Sequence, residues 1–297
     1  MVCHIMVKRW TFIDVFIMIF LLLVMLLSLL PILNTFAISL SDRISASTGK
    51  VTFWPVGFTL VAYENMIRDN LFFLAFFNSV VRVLLGSSIN IIVIISMAFP
   101  LSKNSRIFQG RNVYMWIIVF VLLFNGGLVP NFLLIKNLGL FDTIWALVLP
   151  PAVPVFSVLI LMNYIKGLPS EMEEAALVDG ADPLKTLIYV ILPLSIPCLA
   201  TVGLFSVVFH WNTFFDGLIY MNKPEKLPLQ SFIRSLVVES NIRFEFLTSE
   251  EIERQLKLSN LTFNSAKIMV SMIPILLIYP FLQKYFVTGI VMGAVKG

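Results

Sequence analysis

Charge is what this chain has least of. Only 13% of its 297 residues are Asp, Glu, Lys or Arg, against about 25% in a soluble domain, so an ordinary water-exposed globule is excluded. Cysteine is scarce too: Cys3 and Cys198 stand in different segments and suggest neither a disulfide framework nor a metal site. No basic stripe and no zinc-ligand cluster appears, which argues against nucleic acid as a partner. A soluble second domain, a low-complexity linker and an internal repeat are all missing. No paired catalytic residues stand in the apolar segments, which argues against an intramembrane enzyme.

What is there is apolar. Hydrophobic residues make up 59% of the chain, with 27 Phe and 13 Met, and the mean hydropathy is +0.93. Lipid is the solvent such a composition suits. A spanning helix needs about 20 apolar residues to cross roughly 30 Å of hydrocarbon. The gaps between charges give six candidates: 15–40, interrupted only by Pro31 and Asn34; 83–101, with 72–77 also apolar and Arg82 near its outer end; 113–135; 143–165; 193–215; and 268–286. The first is too long for the roughly 7–15-residue core of a signal peptide and reads as an uncleaved helix. The fold class is an all-α membrane protein with six transmembrane helices, one domain over 1–297.

Orientation follows from Lys and Arg in the short loops. Lys8 and Arg9 precede the first span, and Lys103, Arg106 and Arg111 lie between the second and third. These segments face the cytoplasm, as then do both termini and residues 166–192. Residues 41–71 and 221–267 face outward. The stretch 236–258 carries both charge signs densely, and a solvated amphipathic helix is favoured there over a docking surface.

Residues 166–192 form an island of charge between two apolar segments. Ser170 with Glu173 three positions on predicts a capping box, and Glu171, Glu173 and Glu174 sit at the positive end of the helix dipole. Ala175 and Ala176 keep a face small enough for close approach. Asp179-Gly180 stops the helix, with Gly180 free to turn left-handed. Asp182-Pro183 starts another, and Leu184, Leu187, Ile188 and Ile191 give it an apolar face. Two short helices at an angle are expected, with an acidic and small-residue tip. An interfacial helix that merely joins two spans would need the same caps.

The whole pattern separates these readings. Glu174-Ala175-Ala176, three residues, Gly180, nine residues, Val190, one residue and Leu192-Pro193 resembles the signature loop of ABC importer permeases, with Val190 where Ile is usual. Phe53-Trp54-Pro55, Phe58-Thr59-Leu60 and Tyr63 look like the outer segment of MalG-type sugar permeases. Leu138-Gly139-Leu140 with Asp142-Thr143, and the ending Gly293-Ala294-Val295-Lys296-Gly297, resemble theirs as well. His210-Trp211-Asn212 through Asp216, with Leu227-Pro228-Leu229-Gln230, is similar to the LplC/YtcP branch, associated with oligosaccharides from complex glycans.

The resemblance implies a type I importer in a bacterial cytoplasmic membrane. A second, MalF-like permease pairs with this chain, two ATPase subunits dock on the loops, and an extracellular solute-binding protein delivers an oligosaccharide. Glu174, Ala175, Ala176 and Gly180 would contact the ATPase, with Asp179 and Asp182 shaping the contact. ATP and magnesium would be bound by the ATPase subunits and none by this chain, which is a transport subunit and not an enzyme. Ser47-Thr48-Gly49-Lys50 lacks the leading glycine and the trailing hydroxyl of a phosphate loop.

Polar residues inside the spans are the candidates for a sugar path, because they favour interior faces. The fifth span supplies His210, Trp211, Asn212, Asp216 and Tyr220, beside Phe214. The third supplies Asn125 and Asn131, with Gly126, Gly127 and Pro130 marking a bend or a close helix contact. For any single one of them, interhelical hydrogen bonding or an interfacial aromatic belt is favoured over direct sugar contact. Two other functions stay open. One is an ABC import permease for a peptide, amino acid or phosphate. The other is a secondary transporter, which would need a charge pair at the midplane; Asp14, Arg82 and Asp216 all read as lying near span ends.

Overall fold

The computed structural model describes residues 12–236 and 261–294, with backbone alone at 279 and from 281 onward. The expectations for Lys8, Arg9 and Lys296, and for the charged stretch beyond residue 236, lie outside the described residues. Every regular element among those described is helical.

The chain divides into two compact units. The first comprises 1–68 and 240–270. Its α1 (Phe12–Ser39) is a 28-residue helix whose side chains are exposed over most of its length, as a lipid-facing helix requires. Asn34, the polar break in this apolar run, reaches the Thr52 carbonyl at 2.6 Å. The segment that follows folds back on the end of α1: Thr59 N–H donates to Leu40 O and Asp42 N–H to Val56 O, each at 3.0 Å. Asp42 caps α2 (Arg43–Ser47) by accepting from Ser45 N at 2.9 Å. Gly49, at φ +71°, ends that helix, so the Thr48-Gly49-Lys50 triplet is a helix terminus rather than a phosphate cradle. A further helix, α3, covers Val61–Ile67.

The second unit comprises 69–239 and 271–297 and is organised around α4 (Asn70–Ser102). This helix has 33 residues, about 50 Å at 1.5 Å per residue. It starts well before the predicted 83–101 because Asp69 caps it, accepting from Leu71 and Phe72 N–H. Its buried residues recur every three or four positions: Phe72, Ala75, Ser79, Arg82, Gly86, Asn90, Ile94, Ala98 and Leu101. They form one seam. The half from Ile94 to Leu101 is apolar and joins Val158, Leu161, Ile191, Cys198 and Val202 in the main core.

The neighbours of α4 are broken helices. The predicted third span is two helices, α5 (Arg111–Leu123) and α6 (Leu128–Asn137), bent by 114°. Gly127 takes φ +83° at the break, where Asn125 Oδ1 accepts its N–H at 2.9 Å. The predicted fourth span, 143–165, is not one helix. It holds α7 (Trp145–Val148) and α8 (Val155–Lys166), because Pro150, Pro151 and Pro154 remove the donors a continuous ladder needs. The island contributes α9 (Ser170–Val178) and α10 (Pro183–Thr186), a π-helical turn over Leu187–Ile191, and α11 (Leu192–Leu194). Pro193 lacks the N–H that the Tyr189 carbonyl would receive and crowds that carbonyl, so the chain widens there. The run Pro183–Leu194 then bends by 82° into α12 (Ile196–Asn212). After it come α13 (Phe215–Tyr220) and α14 (Leu261–Ala294). By length and composition, three described helices can cross a membrane, or up to five if each bent pair is one span.

Candidate functional site: an exposed island and a buried polar seam

The island presents its motif to solvent. Along α9, Glu171, Glu174, Ala175 and Val178 recur at helical spacing and are all exposed; Val178 is 87% exposed. Ala176 turns inward, so the two alanines stand on different faces rather than sharing a small one. The predicted capping box does not form: Pro169 occupies the N-cap and makes no side-chain bond. Glu173 pairs instead with Lys103 at the end of α4, a tertiary partner that local grammar does not anticipate. The far end is as expected. Gly180 has φ +77°, Gly180 N–H donates to Leu177 O at 3.1 Å and Ala181 N–H to Ala176 O at 2.9 Å, the two bonds of a Schellman stop. Asp182 Oδ1 accepts from Lys185 N at 2.7 Å and caps α10, with Pro183 in its first turn. Of that helix's predicted apolar face, Leu187 and Ile191 join the core, while Leu184 and Ile188 stay exposed.

Four polar residues in the N-terminal part of α4, Asn78, Ser79, Arg82 and Asn90, each bond to backbone outside that helix. Asn90 Nδ2 donates to Pro151 O at 2.8 Å, a carbonyl left without a helical partner between α7 and α8. Its Oδ1 accepts from Ser206 Oγ at 3.1 Å and faces His210 Nε2 at 2.7 Å. An amide oxygen only accepts, so His210 carries its proton on Nε2. Gly86 lies under the His210 ring, where a Cβ would overlap it. Arg82, fully buried, donates to Thr213 O at 3.0 Å and pairs with Asp216. It thus satisfies the carboxyl end of α12 and the acid that opens α13. Ser79 Oγ accepts from Leu229 N at 2.7 Å and Asn78 Nδ2 donates to Glu225 O at 2.7 Å. Where water is excluded, freed backbone groups must find such partners.

The polar residues predicted from the spans therefore divide. His210, Trp211, Asp216 and Tyr220 are committed to internal contacts. Trp211 Nε1 donates to Ser271 O at 3.2 Å and its ring meets Phe76 edge-on, while Tyr220 stacks on Phe132. Asn125, Asn131 and Asn212 are exposed. Arg82 is not near a helix end, as the charge-gap reading has it, but thirteen residues into α4. Asn78, Ser79 and Asn90 are the residues sequence reasoning misses, and Arg82 is one it misplaces. Their signal is that Ser79, Arg82 and Asn90, three and eight positions apart, fall on one face of an otherwise apolar helix.

The model of a family described as "Binding-protein-dependent transport system inner membrane component" matches residues 72–292. The polygalacturonan/rhamnogalacturonan transport system permease protein YtcP of Bacillus subtilis (strain 168) is 35% identical over 96% of this chain and 98% of its own. Protein LplC of the same strain is 35% identical over 91% and 90%. A solved chain of a bacterial ABC transporter involved in the import of the acidic polysaccharide alginate aligns with TM-score 0.82 and 31% identity, over 94% of this chain and 99% of that one.

Proposed function

Because the chain belongs to the family of binding-protein-dependent transport system inner membrane components, with the fold of a type I ABC importer permease, we propose that it is one of two permease subunits of an ATP-driven oligosaccharide importer. The observation that carries this reading is the exposed motif of the island, whose helix ends in a Schellman stop followed at once by an aspartate cap. Glu174, Ala175, Asp179, Gly180 and Asp182 form the docking tip for an ATPase subunit, and Ala176 lets α9 lie close to the helical run behind it. ATP and magnesium belong to that subunit. The island and both termini face the cytoplasm, and six crossings are completed by counting each broken segment, 143–165 included, as one passage. The charged stretch 236–258 lies outside.

The cargo is an oligosaccharide from a complex glycan, as the names of YtcP and of the alginate transporter suggest. It is delivered by an external binding protein and shared with a MalF-like partner permease. Exposed Asn125, Asn131 and Asn212 offer amides to passing hydroxyls. His210, Trp211, Asp216 and Tyr220 hold the wall that carries them. An ion-coupled mechanism would draw on the buried Arg82–Asp216 pair, but that arginine is consumed by the carboxylate and by the end of α12.

The assembled complex, reconstituted with its binding protein, should take up galacturonan oligosaccharides only with ATP. Gly180→Pro and Glu174→Lys should each lower that uptake at least tenfold and reduce recovery of the ATPase with the permease. Uptake without ATP would point to a secondary transporter, and uptake of peptides instead of glycans to another cargo.

A further inference from the structure

We infer that Lys103 is the positioning residue through which the island is mechanically joined to α4, so that the Lys103–Glu173 ion pair is needed for coupling rather than for assembly. This rests on the reading of residues 170–193 as the ATPase-docking loop.

Two faces of α9 have different work. Glu171, Glu174, Ala175 and Val178 look outward, while Glu173 and Ala176, three apart, look toward the protein. Glu173 is the one carboxylate of α9 that pairs with another element among the described residues. Its partner is held firmly. Lys103 is the C-cap of α4, its side chain is only 12% exposed, and its Nζ sits 4.2 Å from the centre of the Phe99 ring. The carbonyl end of the helix, the ring face and the carboxylate all attract the same ammonium. Pro100 removes one ladder bond in this last turn, and Arg111 Nε closes the turn from outside by donating to Leu101 O at 3.0 Å.

Behind that anchor, α4 is continuous, while the α5–α6, α7–α8 and α11–α12 segments each break. A displacement of α9 enters α4 at Lys103 and travels along one rod to Asn90 and Arg82. Those two side chains grip the breaks at 151–152 and 213–216, the second of them adjoining Asn212. The ion pair thus links the docking tip to the candidate path without a hinge between them. A static brace would need only the apolar contacts of Leu187 and Ile191 with the core.

The test is a double-mutant cycle in the reconstituted complex with its binding protein, using galacturonan oligosaccharides as probe and reading uptake per ATP hydrolysed. Lys103→Met keeps the stem over Phe99 and removes the charge; Glu173→Gln removes the partner on a side chain that is 33% exposed, where folding tolerates it. Each single change should lower uptake per ATP at least fivefold with ATPase recovery unchanged. The double variant should be no worse than either, because both remove one interaction, and Lys103→Arg should restore more than half. Uptake per ATP within twofold of wild type for both single variants overturns the inference, as does a double variant whose loss is the product of the two. If Gly180→Pro leaves ATPase recovery and uptake unchanged, the docking reading itself falls, and this inference with it.

Discussion

The island and the seam use polar residues in opposite ways. On α9 the motif side chains point into solvent, and apart from Glu173 its carboxylates have no ion-pair partner among the described residues. On α4, Ser79, Arg82 and Asn90 are buried and bond to the backbone of broken neighbouring segments. The difference is one of solvent. Water can satisfy an exposed carboxylate, so evolution is free to aim it at another protein. In an apolar interior an unpaired amide or guanidinium is costly, so its presence reports a break nearby that needs it. A polar residue in a span thus marks a place where some helix ends before it marks a substrate.

The largest expected effect breaks the seam. Arg82→Met should lower stability by about 3–5 kcal/mol, because Asp216 and the Thr213 carbonyl lose their buried partner. Adding Asp216→Leu should return most of that loss, read as the unfolding midpoint in detergent; no return would mean that Arg82 serves more than this pair. Gly86→Ala should cost about 1–3 kcal/mol, since the new Cβ overlaps the His210 ring, and pairing it with a smaller residue at position 210 should relieve the clash. On the island, Gly180→Ala should cost about 1–2 kcal/mol for its left-handed backbone and reduce ATPase recovery less than Gly180→Pro does.

The smallest effect lies on the α6–α7 loop. Lys226 Nζ donates to Asp142 Oδ2 at 2.7 Å, and this bond, aided by the Asn222 N–H and opposed by desolvation, holds the Asp142 carboxyl below its ordinary range. A depressed carboxylate adds stability above its unfolded value, about 3.9, and loses it as pH falls through the lower folded value. Asp142→Asn should therefore weaken the protein slightly at pH 7 and flatten the acid limb of its stability profile. An unchanged limb would show that the Lys226 contact does not persist in solution.

What the sequence made legible was local. The Gly180 stop and the Asp182-Pro183 start were readable because they depend on backbone sterics within a few residues. The bend at Gly126-Gly127 was readable for the same reason. The Ser170–Glu173 box is not realised because Lys103, seventy positions away, takes the glutamate. The extent of α4 is not legible from gaps between charges, which stop at Arg82, because a charge neutralised inside the fold no longer marks an edge. His210, Trp211 and Asp216 were visible as polar or amphipathic groups, but their partners Asn90, Ser271 and Arg82 are long-range and leave no trace in spacing.

The contrast between the two regions is tested most directly by cross-linking from single cysteines in native membranes. Val178→Cys places a thiol at the most exposed large hydrophobic residue of α9, whereas Cys198 is buried. A short thiol-reactive cross-linker should join Val178→Cys to the ATPase subunit in a yield that changes when ATP is added, and Asn212→Cys should give no such product. Failure of Val178→Cys to reach the ATPase, or an ATPase product from Asn212→Cys, would contradict the assignment of the island as the docking element.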